Sequence, residues 1–89
     1  MSLMQTYSEK DIPRIIKALT LYYSRLDTRR AVTFNYACSK YQVNSPLVTD
    51  FIINNSKGEN PIGMPSDGDE AREYLPNLRK LSKKLQNKT

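Results

Sequence analysis

The 89-residue sequence predicts a mainly α fold, a small helical bundle in a single domain. Three observations carry that expectation. Apolar residues recur at three- and four-residue steps over residues 8–26 and again over 69–87, the period of one helix face. Two proline-bearing helix starts, Asp11 with Pro13 and Ser45 with Pro46, stand ahead of apolar runs. A domain of this length buries only about 60–70% of its unfolded surface, so the core is small. The expected organisation is a flexible N-terminus over 1–7, in which Met1-Ser2-Leu3 reads as a cloning remnant ahead of Met4, and one domain over 8–89. That domain divides into a helical core over 8–57, a Pro/Gly loop or wing over 58–70 and a C-terminal helix over 71–88.

The first helix is expected over 8–26. Ile12, Ile15, Ile16, Leu19, Tyr22, Tyr23 and Leu26 form its apolar stripe, and Lys10, Arg14, Lys17 and Arg25 take the other side. Asp11 is the expected cap, with Pro13 in the first turn, where no hydrogen bond is lost. Asp27-Thr28 supplies a stop and a new cap. Over 28–41, Ala31, Phe34, Cys38 and Tyr41 fit a helix face, while Val32, Phe34 and Tyr36 alternate as in a strand. A helix is expected there, because a strand would need a partner and no second strand is near. The strand alternative covers 31–37.

Gln42-Val43-Asn44 is the turn. The next helix is expected over 45–57, with Ser45 as N-cap, Pro46 at the first helical position and Gly58 as left-handed C-cap. Pro61 and Pro65, with glycines at 58, 63 and 68, make 58–70 a loop. On a wing version, Asp67-Gly68 turns a hairpin between Ile62-Gly63-Met64 and Arg72-Glu73-Tyr74. The last helix buries Ala71, Tyr74, Leu75, Leu78, Leu81 and Leu85 and turns a basic face outward. It has acids at its start and bases at its end, as the helix dipole favours. Pro76 either kinks it or starts its final segment.

The net charge is +5 and the pI about 9.5, which points to a polyanionic partner. Residues 28–57 carry Arg29, Arg30, Lys40 and Lys57 against Asp50. The last fourteen carry Arg79, Lys80, Lys83, Lys84 and Lys88 and no acid. There is one cysteine, Cys38, and no histidine. Zinc and cysteine–histidine catalysis are therefore not expected, nor is an internal disulfide, and a reducing, cytoplasmic setting is. No apolar run approaches the roughly 20 residues of a membrane span. No calcium loop, cofactor or paired catalytic constellation stands out, and an enzyme is not expected.

Residues 31–57 resemble helix-turn-helix DNA-binding domains at the level of pattern. Cys38 is the small residue within the first helix, Val43 the apolar residue of the turn and Val48 the branched residue inside the second. Tyr41 and Phe51 flank them. The position before Val43, where glycine is usual because φ is positive, holds Gln42, which implies a looser turn. The resemblance implies sequence-specific binding of double-stranded DNA, as a small transcriptional or phage- or plasmid-type regulator acting as a homodimer. The implied base contacts are Asn44, Ser45, Thr49, Asp50 and Asn54. The implied phosphate contacts are Arg29, Arg30, Lys40, Lys57, Lys80, Lys83 and Lys84. The alternative from the tyrosines, the leucine stripe and the acidic loop is a protein–protein interaction module, an adaptor or inhibitor with no DNA binding.

Overall fold

The helix on which the others pack is the first, α1 (Ile12–Arg25). Ile15, Ala18, Leu19 and Tyr23 are fully buried, and Ile12, Ile16, Tyr22 and Leu26 half-buried. Within α1, the most exposed residues are Pro13, Lys17 and Ser24, which fall on one strip at 100° per residue. The computed structural model describes residues 7–86. It places α2 (Phe34–Lys40) and α3 (Ser45–Asn54) against α1 and against each other. The last helix, α4 (Gly68–Gln86), packs along α1 without comparable packing on α2 or α3. No strand occurs among the described residues.

Several boundaries differ from expectation, each for a local reason. Asp11 stands at the N-cap of α1, but its side chain makes no capping bond. Its carboxylate turns back to accept the Ser8 N–H at 3.0 Å and pairs with Arg14. The Ser8 hydrogen bond, first, and the Arg14 guanidinium hold its pKa below the ordinary value. The second helix begins at Phe34 rather than Thr28. Thr33 is the cap, its Oγ1 accepting the Tyr36 N–H at 3.0 Å, while Thr28 donates its hydroxyl to Arg25 O at 2.7 Å. Phe34–Ala37 is therefore helical and the strand alternative over 31–37 does not form. In α3, the N-cap is Asn44, one residue ahead of Ser45, and its side chain makes no capping bond. That helix ends at Asn54, short of Gly58. Asn55 closes it by folding its side-chain amide onto Phe51 O at 2.8 Å, leaving Gly58 (φ +114°) in the loop.

The wing is replaced by a pinned loop and a longer helix. Arg72, Glu73 and Tyr74 lie inside α4. Asp67 caps α4 instead of turning a hairpin: its Oδ1 accepts the Glu70 N–H at 2.9 Å. Glu70 reaches back to the Ser66 N–H at 2.7 Å, so first-turn and preceding donors are satisfied reciprocally. The loop is held by three further bonds. Ile62 N–H donates to Asn55 O at 3.0 Å, Asn77 Nδ2 to Pro61 O at 2.8 Å, and Tyr23 Oη to Gly63 O at 2.7 Å. Ile62 is buried in the core. α4 runs unbroken through Pro76, whose ring is exposed. The carbonyl that proline leaves without a donor is that of Arg72, also on the solvent side, where water can satisfy it.

α1 and α4 are antiparallel. Asp27, two residues beyond α1, accepts the Gly68 N–H at the start of α4 at 2.6 Å, and the Tyr23 and Tyr74 rings meet at 5.6 Å. The basic end of α4 therefore lies at the N-terminal end of α1. Tyr7, expected in a flexible segment, packs its ring against Phe51 at 5.5 Å. The expected remnant over 1–3 and Lys88 lie outside the described residues.

Candidate nucleic-acid interface

The connection between α2 and α3 is a tight turn built from the backbone. α2 ends at Lys40, and Gln42 takes φ +58°. Val43 N–H donates to Cys38 O at 3.0 Å and Gln42 N–H to Ser39 O at 3.0 Å. This pair of bonds is the Schellman closure, in which a left-handed residue lets two successive N–H groups return to the last turn. Val43 and Cys38 are both buried, the apolar contact that accompanies the motif. Glutamine thus occupies the left-handed position itself, and the looser turn expected from the missing glycine is corrected. Burial pushes the Cys38 thiol above its ordinary pKa, as fits a small core residue.

Arg14 ties this turn to α1. Its Nη1 donates to Gln42 O at 3.1 Å, and Asp11 holds the guanidinium from the other side. Sequence alone placed Arg14 among the solvated cations. Only the folded chain brings residue 14 to residue 42, and no local pattern signals the pairing.

The expected base contacts are split. Asn44 and Thr49 are exposed, Ser45 and Asp50 half-buried. Asn44 and Ser45 border a groove with Asn35 and Ser39 of α2. Asn54 is exposed, but its amide donates to Tyr7 Oη at 2.9 Å and so is engaged within the fold. Two residues that sequence reading passed over share the outward face. Val48, Phe51 and Ile52 point inward, and the opposite strip is Pro46, Asp50 and Ile53, with Thr49 at its edge. Ile53 is 55% exposed. Stepping from 46 to 50 to 53 would have revealed this strip; attention to polar types concealed it.

The expected phosphate contacts fall into groups. Arg29 and Arg30 are exposed in the α1–α2 connection, beyond the C-terminal end of α1. The turn is anchored near the other end, at Arg14. Eleven residues of helix separate Arg14 from Arg25, about 16 Å at 1.5 Å per residue. Arg29 and Arg30 thus belong to a different connection from the turn. Lys40 is exposed where α2 meets it, and Lys57 is exposed three residues past α3. Lys80, Lys83 and Lys84 are exposed on the half of α4 that antiparallel packing sets beside the N-terminal end of α1. With Arg79 they have no carboxylate partner among the described residues. The described residues include no cluster of three or more side chains able to hold a metal ion. No described helix is long and apolar enough to cross a membrane.

Comparison with protein-family models, with curated proteins and with solved structures returns no match.

Proposed function

We propose that this chain binds double-stranded DNA in a sequence-dependent way, as a small regulator of the transcriptional or phage and plasmid type. The observation that carries the reading is the α2–α3 turn. Its left-handed Gln42, Schellman closure and buried Val43 match the backbone that the helix-turn-helix resemblance requires, and Arg14 braces it on α1. In this reading α3 lies in the major groove, with Asn44, Ser45 and Thr49 toward base edges and Asp50 able to accept from cytosine N4. Lys40 and the basic half of α4 serve as the phosphate contacts that set register. Arg29 and Arg30, exposed in the α1–α2 connection, are further candidates for phosphate contact. Pairing of two chains on adjacent half-sites supplies the affinity that one short helix lacks.

The test is a duplex-binding titration against salt. Engagement of Lys40, Lys80, Lys83 and Lys84 predicts a slope of log K against log[salt] near −3.6, about 0.9 for each phosphate neutralised. Thr49→Ala relaxes base preference in selected oligonucleotides while leaving that slope unchanged. Absence of duplex binding at about 50 mM salt refutes the reading.

A second reading, a protein-interaction module, is favoured by the exposed apolar side chains Tyr36 and Met64, 53% and 49% exposed. It predicts partner binding that survives high salt and is weakened by Tyr36→Ala.

A further inference from the structure

We infer that the outward face of α3, through Pro46, Thr49 and Ile53, is a reader of thymine methyl groups. The inference rests on the DNA-binding reading and adds to it the chemistry of the bases selected. α3 contains no lysine, arginine, glutamine or histidine. It therefore lacks the bidentate cation that commonly selects guanine through O6 and N7. What it turns outward includes the apolar pair Pro46 and Ile53, with the half-buried Asp50 beside them. Ile53 exposes its side chain one turn beyond the exposed Thr49, and the exposed Pro46 precedes Thr49 by one turn.

An isolated exposed isoleucine is ordinary on a soluble surface. Here the apolar strip continues along the helix and is bracketed in sequence by two exposed cations, Lys40 before α3 and Lys57 after it. An apolar strip between flanking cations is complementary to a major groove, whose floor presents C5-methyl groups and whose walls are phosphates, while Asp50 beside it can accept from cytosine N4. The three side chains meet methyl groups by apolar contact and need no hydrogen bond. The bases favoured are thymines in successive steps along the groove, with polar residues at the start of α3 adding orientation.

Thymine and uracil differ only in that methyl, so the probe is alternating dA-dT duplex against alternating dA-dU duplex of equal length. The full chain is expected to bind the methylated duplex about fourfold more tightly for each methyl covered, the equivalent of about 0.8 kcal/mol per buried methylene. Ile53→Ala removes an exposed side chain and leaves the core intact. It is expected to bring the ratio toward one, with affinity falling more for the dA-dT duplex than for the dA-dU duplex. Pro46→Ala is expected to lower the ratio in the same direction. Equal binding of both duplexes by the unaltered chain overturns this inference and leaves the DNA-binding reading standing. So does a ratio that persists undiminished in both variants, since other residues then sense the methyl. Failure to bind either duplex at low salt overturns the inference together with the reading beneath it, and retained folding of Ile53→Ala by circular dichroism excludes a trivial loss.

Discussion

Two residues, Gln42 and Asp27, share nearly the same unusual backbone angle, φ +58° and +65°, yet glycine at each should act in opposite directions. A left-handed conformation costs an ordinary L-residue about 1–2 kcal/mol. Glycine relieves that strain but adds about 0.4–1 kcal/mol of unfolded-state entropy. At position 42 nothing else changes. The side chain is exposed, and the interactions there are made by the backbone N–H to Ser39 and the backbone carbonyl to Arg14. Gln42→Gly is therefore expected to stabilise the chain by about 0.5–1 kcal/mol, a rise in Tm of roughly 2–8 °C for a domain of this size.

At position 27 the same relief is opposed. The Asp27 carboxylate accepts the Gly68 N–H at 2.6 Å and supplies negative charge at the start of α4. Losing a cap costs about 1 kcal/mol, with a further 0.3–1 for the charge at a helix N-terminus. Asp27→Gly is expected to be neutral to destabilising by about 1 kcal/mol, and Asp27→Asn, which keeps an acceptor, to lose only the charge contribution. Thermal and urea denaturation of the three variants measure the difference. Destabilisation by Gln42→Gly would refute the left-handed turn, and equal gains from both glycine variants would refute the cap across helices.

Gly68→Ala should destabilise even though alanine is the better helix former by about 1 kcal/mol. A Cβ there would stand 2.8 Å from Asp27 Oδ2 and 2.9 Å from its Cβ, displacing the cap; a higher Tm would contradict this. Tyr23→Phe should cost about 1 kcal/mol by leaving Gly63 O without its donor, measured by urea unfolding. Burial raises the Tyr23 pKa above the model-compound value of 10.0. The unfolded phenol therefore ionises first, and its stabilisation is intact below pH 10.0 and lost as pH rises beyond it. Tyr23→Phe should reduce the alkaline loss, and an unchanged alkaline profile would count against that origin. Cys38 is 2% exposed and has its pKa raised, so alkylation should track unfolding; rapid labelling under native conditions would show that the α2 face opens.

What sequence disclosed was periodic, and what it concealed was non-local. The apolar stripes of α1 and α4 were legible because burial repeats every three to four residues. The burial of Cys38, Val43, Val48 and Phe51 was legible instead from the helix-turn-helix pattern. Helix ends were less legible, since capping depends on which of several nearby oxygens reaches an N–H. Thr33 displaced Thr28, Asn44 preceded Ser45, and Asn55 closed α3 ahead of Gly58. Asp67-Gly68 fits a hairpin turn and a helix cap equally well by composition. The helix start it makes also donates a hydrogen bond to Asp27, forty-one positions away. The Arg14–Gln42 and Tyr23–Gly63 bonds are of the same kind, spanning 28 and 40 positions.

The antiparallel pairing of α1 and α4 links the stability of α4 to its charge. Asp69 and Glu70 lie in its first turn and Lys83 and Lys84 in its last, so both ends complement the dipole. The same arrangement concentrates exposed cations at the end of α1 where Arg14 holds the α2–α3 turn. Neutralising Lys83 and Lys84 therefore removes helix stabilisation together with any polyanion contact, and weakened binding alone cannot assign a role to either. Position along α4 separates the two effects. Dipole interactions fade within the terminal turn, whereas a phosphate contact depends only on exposure and location. Arg79 and Lys80 precede the last turn and are exposed. Replacing both with glutamine should leave Tm nearly unchanged and reduce the salt slope of duplex binding by about 0.9, the share of Lys80. An unchanged slope would remove the middle of α4 from the DNA-facing surface and restrict any contact to its last turn.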